Sequence, residues 1–136
     1  MGMKRFEDLQ AWQEARSLAR IIYRLTRSER FAPDQGLRLQ LQGAAVSLMS
    51  TIAGAHGRSS PEARHPSLES ALGTGEELQS HLYVGLDQAY LTLAEFQEAY
   101  SQADRVAGRI GELLGDPERQ GKAPRADRPP ARQRRA

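Results

Sequence analysis

What most limits the fold of this chain is an apolar spacing of three and four residues, repeated in four separate segments without strand-like alternation. Side chains at that spacing share one face of an α-helix. Leu9, Trp12, Ala15, Ala19 and Ile22 mark the first helix, predicted from Glu7 to Arg27 with acidic residues at its start and Arg24 and Arg27 at its end. Leu37, Leu41, Ala44, Leu48, Ile52 and Ala55 mark the second, introduced by Pro33-Asp34 and stopping near Gly57. Leu68, Leu72, Gly75, Leu78, Leu82, Leu86 and Ala89 carry the third to about Tyr90. Ser60-Pro61 is a good start for it. Pro66 requires either a start near that residue or a bent first turn.

The boundary before the fourth helix is the most explicit local signal. Thr92-Leu93-Ala94-Glu95 reads as a capping box, with Leu91 and Phe96 at the two positions of a hydrophobic staple. Phe96, Tyr100, Ala103, Val106, Ile110 and Leu113 follow, and Gly115 with Asp116-Pro117 ends the segment. Four amphipathic helices joined by short loops predict an all-α fold, an antiparallel up-down-up-down four-helix bundle over 1–116. Residues 117–136 are rich in Pro, Arg, Gly and Gln with no apolar side chain larger than alanine, which predicts a disordered basic tail.

Charge divides at the same boundary. Residues 1–116 hold 12 Lys/Arg against 15 Asp/Glu, whereas 117–136 hold 7 against 2, so the tail makes the chain basic. With no cysteine there is no disulfide framework, thiolate metal site or cysteine nucleophile, which suits a reducing cytoplasm. No segment is apolar enough to predict an export signal or a membrane span.

Leu18, Ile21 and Leu25 add a second apolar strip to the first helix, so that apolar residues cover about half its circumference, more than the ~100° stripe that one core needs. The surplus predicts self-association, with these three residues as the candidate oligomer interface. Gly43 and Gly54, and Gly73-Thr74-Gly75 in the third helix, predict close approach of neighbouring helices, because a glycine inside a helix costs about 1 kcal/mol against alanine.

Phe6-Glu7-Asp8-Leu9, Trp12-Gln13, Ala15-Arg16 and Ile22-Tyr23-Arg24-Leu25-Thr26 resemble the opening of the 23S rRNA intervening-sequence proteins, also catalogued as four-helix-bundle proteins. The likeness continues through Gln40-Leu41, Ala44-Ala45-Val46-Ser47, Ile52-Ala53, Gly57-Arg58, Ala71-Leu72-Gly73 and Glu77-Leu78. Thr51 stands where the family pattern has asparagine, Gly54 where it has glutamate, and Gln42-Gly43 where it has an arginine pair. That family is similar to the accessory protein of diversity-generating retroelements. The resemblance implies a homo-oligomer, a pentamer, and RNA or DNA together with a reverse transcriptase or other nucleic-acid enzyme as partners.

Arg16, Arg20, Arg24 and Arg27 form a ridge along the first helix, and Arg132, Arg134 and Arg135 are the densest basic group of the tail. Both are candidate phosphate contacts. The competing reading of the ridge is a solvated face whose arginines pair with acids on neighbouring helices, and the acidic balance of 1–116 favours it. The competing reading of the tail is a solubilising extension. Glu62 and His65 have the spacing used by di-iron bundles, but no second copy of that motif exists. No Gly-x-Ser-x-Gly elbow is present either. A non-enzyme without cofactor or metal is therefore expected. Its function is that of a nucleic-acid-associated scaffold or, alternatively, a structural oligomer without nucleic-acid contact.

Overall fold

In the computed structural model, which describes residues 5–115, four helices and two single 3-10 turns account for nearly all the backbone. The helices are α1 (Gln10–Thr26), α2 (Gln35–His56), α3 (Pro61–Asp87) and α4 (Leu93–Leu114), and no strand occurs among the described residues. Each helix packs on the next along the chain, and α1 closes the circuit against α4. The predicted tail lies outside the described residues.

Local chemistry starts three of the helices as expected. Asp34 accepts from the Leu37 N–H, Ser60 from Ala63, and Thr92 from Glu95, each filling an otherwise orphaned donor of a first turn. The capping box is complete, because the Thr92 N–H donates back to the Glu95 carboxylate at 2.9 Å. Leu91 and Phe96 are both buried beside it, as a staple requires. The same carboxylate takes both 3.0 Å bonds from Arg30, tying the α1–α2 connection to the start of α4. Partial burial works against the charge of Glu95, yet the bonds from Thr92 and Arg30 prevail and hold its carboxyl below the usual range.

Two boundaries differ from expectation, and a third decides between the two starts left open for α3. Glu7 and Asp8 lie in a separate 3-10 turn (Phe6–Asp8), and α1 begins at Gln10 because Leu9 is extended and buried. α3 begins at Pro61 and runs through Pro66, so the proline does not mark the start of the helix. α3 ends at Asp87 rather than Tyr90, since Ala89 adopts a left-handed φ of 64° and turns the chain back. Tyr90 and Leu91 then both donate to the Gly85 carbonyl. A Cβ on Gly85 would stand 3.0 Å from Leu91 Cδ1, so this glycine permits the close approach. At Gly43, Gly54, Gly73 and Gly75 a Cβ would meet no neighbouring atom of the described residues within 4 Å, which overturns the expected tight packing of those glycines against neighbouring helices.

The core is built from aliphatic side chains of all four helices, with Phe31 and Phe96. Three buried or half-buried polar clips cross between helices. Gln102 of α4 donates to the Glu14 carbonyl and carboxylate of α1 at 2.9 and 2.7 Å. Gln79 of α3 reaches Tyr100 and Asp104 of α4. Gln42 of α2 donates to Thr26 of α1, whose hydroxyl donates in turn to the Ile22 carbonyl. Each is satisfied, so burial costs little and the clips fix which faces meet.

The candidate oligomer interface on α1 is corrected by burial. Leu18 is 0% exposed and Leu25 4%, both inside this chain's own core, and Ile21 is half-buried. A corner helix of a bundle touches two neighbours, here α2 and α4. Its apolar arc must therefore exceed the single ~100° stripe of a helix lying on one surface.

Candidate nucleic-acid interface

The helix period places the arginines of α1 opposite its buried positions, and Arg16, Arg20, Arg24 and Arg27 are all exposed along that crest. They differ in what holds them. Arg24 forms an ion pair with Glu98 of α4, across 74 residues of sequence. Arg27 donates through Nε to the Tyr23 carbonyl at 3.2 Å and forms no ion pair with another described residue. The Arg16 guanidinium lies 5.9 Å from the centre of the Trp12 ring, a cation–π distance. Arg20 has no hydrogen bond or ion pair with another described residue. The competing reading, in which acids of neighbouring helices neutralise the ridge, thus holds among the described residues for Arg24 and not for the other three.

Two aromatic side chains accompany the ridge. Tyr23 is 38% exposed, and half-buried Trp12 meets Phe6 edge-on at 5.1 Å. Both lie on the side of α1 that adjoins α2. That side is identified by the Thr26–Gln42 bond and by the N-terminal turn, which packs against α1 and α2. Arginines interleaved with partly exposed rings combine charge for phosphates with faces on which bases stack. The sequence alone did not pick out Trp12 and Tyr23 as part of this surface, although their spacing from Arg16 and Arg27 carried the signal.

The outer faces of the other helices differ. On α3, Glu62, Glu69, Glu76 and Glu77 are exposed without an ion pair to another described residue. On α4, Arg109 pairs with Glu112, and Arg105 donates to Gln102. Along α2 no charged residue occurs between Leu39 and Ala55. Arg132, Arg134 and Arg135 lie outside the described residues.

Nothing in the described part suggests a metal centre. No three His, Cys, Asp or Glu side chains cluster there, and Glu62 and His65 are both exposed at the start of α3. No helix of the described residues is long and apolar enough to cross a membrane.

The described residues place the chain among small all-α proteins of four helices. Within that class, a profile described as "23S rRNA-intervening sequence protein" matches residues 7–112, and the chain belongs to that family. No functionally curated protein matches it significantly.

Proposed function

We propose that this chain is a non-catalytic, homo-oligomeric scaffold that associates with nucleic acid through the crest of α1. The observation that carries the reading is the row of exposed arginines, three of them free of ion pairs within the described chain and flanked by Trp12 and Tyr23. Family membership, with its reference to 23S rRNA, makes RNA the first ligand to test. A pentamer, and a reverse transcriptase or another nucleic-acid enzyme as partner, are the finer forms of the proposal, supported by the resemblance described above. The cytoplasm is the compartment proposed, in keeping with a chain that has no cysteine.

We also read the helices as alternating in direction. Arg24, late in α1, meets Glu98, early in α4, whereas Glu14, early in α1, meets Gln102, further along α4. Likewise Tyr83 stacks near Phe96 while Gln79 bonds Asp104.

A gel shift with RNA, DNA and an RNA–DNA hybrid over a salt series tests the function. Retarded bands that weaken as salt rises are the expected result. Absence of any shift at low salt rejects it in favour of a purely structural oligomer, a reading that the Arg24–Glu98 pair favours.

A further inference from the structure

Resting on the nucleic-acid reading above, we propose that the groove between α1 and α2 takes one unpaired strand of nucleic acid rather than a duplex. The phosphates lie on Arg16, Arg20 and Arg27, the bases turn inward over Trp12 and Tyr23, and Arg38 of α2 holds one end. Two parallel lines on α1 set this arrangement. Arg16, Arg20 and Arg27 occupy the crest, exposed and without an ion pair to another described residue. Trp12 and Tyr23 stand eleven residues apart. That separation is about 20° more than three full turns, so the two rings share a line about 16.5 Å long on the α2 side of the crest. A strand keeping the ~3.4 Å rise of stacked nucleotides covers it with about five of them. The Arg16 guanidinium lies over the Trp12 ring and Tyr23 is exposed, so each end of the line offers a base a planar surface. In a duplex the base faces are stacked on one another and only edges reach the grooves, so these rings would find no face to meet.

Charge sets the strand on this flank. Glu14 and Glu98 stand on the α4 side of the crest, where their carboxylates repel a phosphate chain. On the other side the wall is Gln42, Val46, Met49 and Ala53 of α2, spaced four, three and four residues and uncharged. Gln42 fixes that wall to α1 through its bond to Thr26, and Val46, 44% exposed, gives it an apolar surface beside the bases. One row of cations next to a neutral wall neutralises one phosphate chain. The second chain of a duplex would meet no cation along that wall.

Arg38 adds a group that the crest alone does not supply. It lies one turn before Gln42 on the same side of α2, at the end of the groove where the short connection from α1 leaves Arg27. Its Nε is buried, and no described residue accepts from it. A buried donor without an acceptor is costly. The side chain as a whole is only half-buried, so a small outward turn brings this N–H to a phosphate or base oxygen beside Arg27.

The test compares binding of the full chain to an unstructured RNA of about twelve nucleotides, within the range of single-strand sites, and to the same RNA annealed to its complement. Affinities come from anisotropy of the labelled RNA, and circular dichroism checks that each variant keeps its helix content. The single strand is expected to bind more tightly than the duplex. Tyr23→Ala, and Trp12→Leu, which keeps an apolar body against Phe6, should each weaken the single strand about five-fold or more and leave the duplex unchanged. Tyr23→Phe keeps the ring and should stay near wild type. Arg38→Gln should flatten the single-strand salt slope by about 0.7. Failure to bind either RNA at low salt overturns the nucleic-acid reading and this inference together. A duplex bound as tightly as the single strand overturns this inference alone. So does a single-strand preference that survives Tyr23→Ala, Trp12→Leu and Arg38→Gln.

Discussion

Arg20 and Arg24 are neighbours on one crest, but the fold leaves only one of them free, and that difference can be measured. Arg20 has no partner among the described residues, whereas Arg24 must leave Glu98 before it can reach a phosphate. Each phosphate contact contributes about 0.9 to the slope of log affinity against log salt on a duplex and about 0.7 on a single strand. Arg20→Ala is therefore expected to flatten the slope by about that amount. The same contact corresponds to about a three-fold difference in affinity between roughly 50 and 200 mM salt. Arg24→Ala is expected to leave the slope near its wild-type value. It also removes an exposed ion pair, whose side chains are 56% and 45% accessible, worth less than about 1 kcal/mol of stability. Fluorescence anisotropy of a labelled RNA, titrated at several salt concentrations with each variant, gives both slopes. The reasoning fails if Arg24→Ala flattens the slope and Arg20→Ala does not. It fails equally if a chain ending at Asp116 loses all affinity, because the crest of α1 would then contribute nothing.

The remaining predictions concern what holds the site in place. Thr92→Ala removes the cap of α4 and is expected to cost about 1 kcal/mol in a denaturant titration, with no change in oligomer mass. Glu95 has a folded-state pKa below its unfolded value near ~4.3, so its contribution is present above that pH and lost as pH falls through the folded value. Wild type should accordingly lose more stability on acidification than Glu95→Gln, and parallel acid-unfolding curves would exclude the linkage. Gln102→Ala deletes two bonds from α4 to Glu14, one of them to a carboxylate, and is expected to cost about 2–3 kcal/mol by thermal or urea unfolding. Gly85→Val drives a branched side chain into Leu91 and Phe31 and should cost about 1–3 kcal/mol, where a gain in stability would show that the turn has room.

Which features were legible in the sequence follows from the range of the interactions. Caps, staple and stop signals depend on residues within five positions of each other, so Asp34, Ser60, Thr92 with Glu95, and Gly115 all read correctly. The arginine crest was legible for the same reason, since helical period alone puts four residues in line. What each arginine meets was not, because Glu98 comes to Arg24 only through the packing of α4 on α1. The roles of Leu18 and Leu25 depended on how many neighbours α1 has, which a periodic pattern cannot count. Glycine roles were exchanged for a related reason. Gly85 gains its role only because Ala89 turns the chain back over it, whereas a Cβ on the conspicuous Gly43 or Gly54 would meet no neighbouring atom of the described residues.

The chain has a single tryptophan, and the fold puts it at the edge of the surface proposed to meet nucleic acid. Trp12 is half-buried, with a guanidinium over one side and Phe6 against its edge. Its emission therefore comes from one known position, without competing indoles, and responds to whatever displaces Arg16 or stacks on the ring. The native protein carries its own optical reporter there, so occupancy of the crest of α1 can be followed without attaching a label or altering a residue.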